Sequence, residues 1–220
     1  MNKIIYSPGE PAGIGPDLII NLATTKTWEN LRIPIVTIGD PNLFLDRAKL
    51  LKKRVNIIEI KTIDEAESNT FGSIQIIKVL ECKSTSAGKL LKSNAKYVLD
   101  SLNYAIKETI VGKKTALVTG PLSKETIISI DKKFSGHTEY IQKITKSDDV
   151  LMMLASNQLK VALATTHIPL KKVAKNITKD LIIKKVKILN KELKNKFNIK
   201  NPNIKVLGLN PHAGENGKIG

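Results

Sequence analysis

Short apolar runs alternate along this chain with longer stretches whose apolar residues recur at helical spacing, the pattern of an α/β fold. Residues 3–7 (KIIYS) read as a first strand, and the loop SPGEPAGIGP leads to a helix starting near Pro16. Residues 34–39 predict a second strand, closed by Gly39-Asp40-Pro41, and a helix follows over 42–52. Residues 55–60 and 74–79 are strand-like, joined by a polar loop or hairpin. From 88 to 111, Leu91, Ala95, Val98, Leu102 and Ala105 fall on one helical face, and Gly112 suits the helix end. Residues 115–119 (TALVT) form a buried-strand candidate before Gly120-Pro121. Two further strands are expected at 149–155 and 160–165, with Asn157-Gln158 at the turn. Thr178 caps a long amphipathic helix over 178–197, lined by Ile182, Val186, Leu189, Leu193 and Phe197. A final strand is expected at 204–209 (IKVLGL), followed by the glycine-rich NPHAGENGKIG. A strand that delivers a polar loop with nothing after it suggests a fold whose C-terminal part is missing.

Composition narrows the partners. The chain has 220 residues, 41% hydrophobic and 25% charged, ordinary for a packed globular protein. The net charge of +16 raises the question of nucleic acid or an anionic membrane. The basic residues are nearly all lysines spread through helical segments; Arg32, Arg47 and Arg54 are the only arginines, and aromatics make up 4%. Base readout and single-strand stacking call for arginine forks and interleaved aromatics, so the charge reads as a solvated lysine surface, some of which can help attract a phosphorylated substrate. With the single cysteine Cys82, no disulfide within the chain is possible. No apolar run reaches membrane-spanning length, and the N-terminal one is too short for a signal peptide. A cytoplasmic location is expected, with no nucleic-acid or membrane partner.

The candidate chemistry lies after strands, where open α/β sheets gather ligands. His167 follows VALATT, and His212 follows IKVLGLNP, 212 − 167 = 45 residues later. Neutral imidazole is a common metal ligand, although a lone histidine is as readily a satisfied loop residue. Two ligands leave a metal site incomplete. His137 and Thr138, in FSGHTEY, offer donors for a phosphate or hydroxyl beside Gly136. The plainer reading is a helix start, with Ser135 or Thr138 capping and Glu139 in the first turn. The loop SPGEPAGIGP is neither a dinucleotide fingerprint nor a Walker loop. Lys124 in GPLSK either meets a phosphate or faces solvent.

Six segments, in order, resemble one family: SPGEPAGIGPD (7–17), VTGPLSK (118–124), FSGHTEY (134–140), VLMMLA (150–155), VALATTHIPL (161–170) and LGLNPHAGENGKIG (207–220). The chain resembles the 4-hydroxythreonine-4-phosphate dehydrogenases of vitamin B6 synthesis over essentially its whole length. The resemblance implies an isocitrate/isopropylmalate dehydrogenase-like fold: two α/β subdomains, discontinuous in sequence, with a cleft between them. It implies NAD-dependent oxidation of 4-phosphooxy-L-threonine, then decarboxylation to 3-amino-2-oxopropyl phosphate. It implies a homodimer sharing a divalent cation (zinc, magnesium or cobalt) held by three histidines, two of which match His167 and His212. The family's substrate-binding His-Thr pair matches His137 and Thr138. No catalytic base or NAD ligand is assigned. The third metal histidine and further substrate-binding residues lie beyond Gly220 in the family pattern, so this chain alone is expected to be a weak or inactive enzyme. Ser123 stands where the family often has a histidine. Competing readings are a dehydrogenase of four-carbon sugar-acid phosphates, a metal-independent phosphate acyltransferase, and a basic nucleic-acid-binding protein.

Overall fold

The structure, a computed structural model, describes residues 2–83, 85–112 and 114–219. The chain divides into two compact units, residues 1–148 and 149–220.

The first unit is built on a five-stranded sheet: β1 (Lys3–Ser7), β2 (Ile35–Ile38), β3 (Asn56–Glu59), β4 (Ser73–Ile77) and β5 (Thr115–Thr119). Their order is β3-β4-β2-β1-β5, and every pair is parallel. β1 sits between β2 and β5, with Ile4 opposite Ile35 on one side and Ala116 on the other. A parallel sheet covered on both faces calls for apolar residues pointing both ways. Ile35, Ile74 and Ile76 accordingly enter one core cluster, while Ile5, Val36, Ile38 and Ile77 enter another. The helices are α1 (Gly15–Ala23), α2 (Lys26–Asn30), α3 (Pro41–Leu50), α4 (Ala95–Val111), α5 (Lys124–Ile128) and α6 (His137–Thr145).

The segment between β3 and β4 is a crossover, because the two strands run parallel with Asn56 opposite Ser73. Only antiparallel strands can be joined as a hairpin. Asn69, almost fully buried, holds this crossover against the entry to β2: its Oδ1 accepts from Ile35 N–H at 3.0 Å, and its Nδ2 donates to Ile33 C=O at 2.9 Å. α4 begins at Ala95, later than the periodicity of 88–111 suggests. Gly88 is left-handed, Ser86 bridges Lys89, and Asn94 spends its side chain on the backbone of Lys83.

In the second unit, β6 (Met153–Ala155) and β7 (Lys160–Ala162) form an antiparallel hairpin, shorter than the runs 149–155 and 160–165. α7 (Leu170–Asn176) and α8 (Lys179–Asn195) follow. Thr178 caps α8, its hydroxyl accepting from Leu181 N–H at 3.2 Å. The strand expected at 204–209 does not form among the described residues; the segment is extended in pattern only. A strand exists by virtue of a paired neighbour, and β7 pairs with β6 alone. Among the described residues no helix is long and apolar enough to cross a membrane.

Candidate functional site

At the carboxyl ends of β1 and β5, two loops interlock. Glu10 N–H donates to Pro121 C=O at 2.9 Å, and Gly120 N–H to Ser7 C=O at 2.8 Å. The approach leaves no room for side chains: a Cβ at Gly9 would stand 2.3 Å from Pro121 O, and one at Gly120 2.3 Å from Pro8 O. Gly9 also needs its positive φ of 80°. The two loops follow adjacent parallel strands at their carboxyl ends, the end of an open α/β sheet at which ligands gather.

Arg47 of α3 ties this loop down from below. Its guanidinium is almost fully buried and donates to Pro11 C=O at 2.7 Å, Gly13 C=O at 3.0 Å and the Asp17 carboxylate at 2.8 Å. Buried Asp40 caps α3 through Asn42 N–H, and its second oxygen accepts from Cys82 N–H at 2.9 Å. Glu10 is only 4% exposed. Its Oε1 accepts from Ala12 N–H, while Oε2 finds no partner among the described residues. Burial raises its carboxyl above the ordinary value, against the Ala12 bond. Burial first, then the charges of Asp40 and Glu10, push the Cys82 thiol up to about 12, so it stays protonated and unreactive. Sequence reading missed Arg47, Glu10 and Asp40 as organisers of this loop. Asp40 alone left a local signal, an Asp-Pro pair ahead of an apolar period.

His137 opens α6 and Thr138 follows it, both half-buried. The cap is Gly136, without a side-chain bond, so neither Ser135 nor Thr138 caps this helix. Glycine has no side chain to spend on the first turn, which leaves N–H groups of that turn free to meet an anion. A Cβ at Gly136 would stand 3.7 Å from Lys124 Nζ and 3.1 Å from Glu139 Oε2, which places both the Lys124 ammonium and the Glu139 carboxylate beside this helix start. Burial holds His137 below its ordinary pKa, so its imidazole is neutral at neutral pH. Ser123 caps α5, its Oγ accepting from Thr126 N–H at 3.2 Å.

His167 lies in the loop after β7, and His212 in the turn over Pro211–Gly217. Both rings are exposed, and both residues have positive φ, 56° and 50°. His212 through Asn216 are all left-handed. No strand precedes His212, so the likeness to His167 as a second strand-end residue is lost. Among the described residues no side-chain hydrogen bond engages either ring, and no three His, Cys, Asp or Glu gather at metal-binding geometry. Uncommitted imidazoles suit a transition metal in kind, but two are fewer than a site requires.

Residues 30–220 match the family model for the pyridoxal phosphate biosynthetic protein PdxA. The chain belongs to the PdxA family. A 4-hydroxythreonine-4-phosphate dehydrogenase of Pseudoalteromonas translucida is 44% identical over 218 residues, covering 99% of this chain and 65% of that protein. One of Colwellia psychrerythraea is 42% identical, with 99% and 66% covered. Among solved structures, a 4-hydroxythreonine-4-phosphate dehydrogenase from Burkholderia phymatum superposes with a TM-score of 0.87 at 29% identity, covering all of this chain and 66% of that one. That from Klebsiella pneumoniae gives 0.89 at 26% identity, with 100% and 66% covered. The chain thus spans about two thirds of the length of the curated relatives it matches. The α/β architecture with its parallel sheet is that of the PdxA dehydrogenase structures.

Proposed function

We propose that this chain carries part of an NAD-dependent, divalent-metal-dependent 4-hydroxythreonine-4-phosphate dehydrogenase acting in vitamin B6 synthesis. The carrying observation is the family match over residues 30–220, which includes all three histidines. In this reading His137 and Thr138 bind the substrate, with the free N–H groups at the start of α6 and the Lys124 ammonium favouring its anionic end. Neutral His137 can donate or accept without adding a charge. His167 and His212 are two of the ligands of a zinc, magnesium or cobalt ion, and the remaining ligand comes from outside the described residues, in a homodimer that shares the site. A bound cation would supply polarisation of the substrate hydroxyl and charge stabilisation during decarboxylation. A bound NAD would take the hydride as the hydroxyl of 4-phosphooxy-L-threonine is oxidised, and loss of carbon dioxide from the resulting keto acid would leave 3-amino-2-oxopropyl phosphate. The two α/β subdomains of the whole enzyme are discontinuous in sequence, and the enzyme is cytoplasmic.

The test is an assay of the full-length protein with 4-phosphooxy-L-threonine and NAD, before and after chelation. NADH formation that chelation abolishes is the expected result. Turnover confined to a four-carbon sugar-acid phosphate would replace the substrate, and activity indifferent to chelation would remove the metal. His167→Ala and His212→Ala should each weaken metal binding at least about tenfold by calorimetry. Unchanged affinity in either variant removes that histidine from the site.

A further inference from the structure

The chain's charge is unevenly divided. Residues 149–220 hold fourteen lysines, no arginine and four carboxylates, so 14 − 4 places +10 of the total +16 on the smaller unit. Two of those carboxylates are already engaged: Asp149 lies 2.8 Å from Lys185 and 3.4 Å from Lys184, and Glu192 lies 2.9 Å from Lys196. On α8, Lys184, Lys187, Lys191 and Lys194 recur every three or four residues and are exposed. They run along the helix opposite the apolar row that ends in buried Leu193. α7 adds further exposed lysines, Lys175 among them. Lysine lacks the fork that grips one phosphate, but it acts at a distance as a point charge. Such a surface makes a field in place of a pocket, and His167 and His212 lie exposed within the same unit.

We infer that residues 149–220 form an electrostatic collector that concentrates small anions, phosphorylated metabolites above all, around His167 and His212. Naming the collected anion as substrate rests on the function proposed above; the collection itself does not. A field of this kind raises the local concentration and encounter rate of opposite charges by about tenfold or more at low salt. It fades once the screening length drops to roughly 3 Å near 1 M salt.

The experiment uses two small nitroxides, one bearing a carboxylate and one a neutral amide, and reads the paramagnetic relaxation of the His167 and His212 ring protons. The anionic probe should relax them about threefold more than the neutral one at low ionic strength, and the ratio should approach unity near 1 M salt. Replacing Lys175, Lys187, Lys191 and Lys194 together by Gln should lower the ratio by about half. Replacing the same four lysines together by Arg, which keeps the charge, should leave it unchanged. A ratio near unity at low salt overturns the collector, as does one that the Gln and the Arg substitutions lower equally. A ratio that stands in a protein without dehydrogenase turnover supports the collector and removes only the proposed substrate.

Discussion

At the scale of single residues, the loop beyond β1 depends on buried polar groups with fixed partners. Arg47 reaches back 30 to 36 positions in sequence, to Asp17, Gly13 and Pro11. Arg47→Lys keeps the charge and loses the fork, so at least one of these acceptors goes unpaired. We expect a loss of about 1–3 kcal/mol in urea unfolding. A loss within error would show that the loop is held by its glycine contacts instead. Glu10 carries a pH signature. Its folded carboxyl titrates above the unfolded value, so the stability contributed by the neutral acid is present below the unfolded value and is lost as pH climbs through the folded one. Glu10→Gln cannot ionise. The melting temperature of the variant relative to wild type should therefore rise as pH climbs from the ordinary carboxylate range through the raised folded value. Parallel curves across that range would mean that Oε2 finds a partner in solution. Among the buried polar groups of this loop, Asp40 alone left a local signal, because its capping bond is to Asn42, and even that role was missed. Arg47 and Glu10 left none, because their surroundings are assembled from distant segments.

At the scale of elements, period and punctuation located those with a strong local signal. α8 announced itself through Thr178 and its apolar row; the structure keeps the cap and the row as far as Leu193, while Phe197 lies past the helix end at Asn195 and is exposed. Thr178→Ala removes the bond to Leu181 N–H and should cost about 1 kcal/mol, read as lost helicity and a lower unfolding midpoint. No change would place the helix start elsewhere. The short helix α2 escaped notice, since five residues around Trp28 cannot display a period. Its position is set by the indole N–H, which donates to Thr70 and Ser73 carbonyls more than forty residues away. The opposite error occurred at 204–209. Its apolar content met the local requirement for a strand, but pairing is a property of two segments. The segment from β3 to β4 shows the same limit, because strand direction is decided by the sheet and not by the residues between.

At the scale of the whole molecule, each unit is compact by its own contacts. Residues 1–148 contain the five-stranded sheet and both core clusters, so that fragment alone should unfold cooperatively and retain its helical circular dichroism. A non-cooperative melt would show that the second unit is needed to hold the sheet. The sequence by itself determined the α/β alternation, most strand and helix positions, the family, and which histidines deserve testing, because each rests on local period or on contiguous motifs. Only the tertiary structure decided that β3 and β4 run parallel, that Gly136 leaves the start of α6 without a side-chain cap, and that Arg47 and Glu10 are buried under one loop. Burial, pairing and electrostatic environment depend on what other segments bring to a position, and no stretch of sequence carries that information alone.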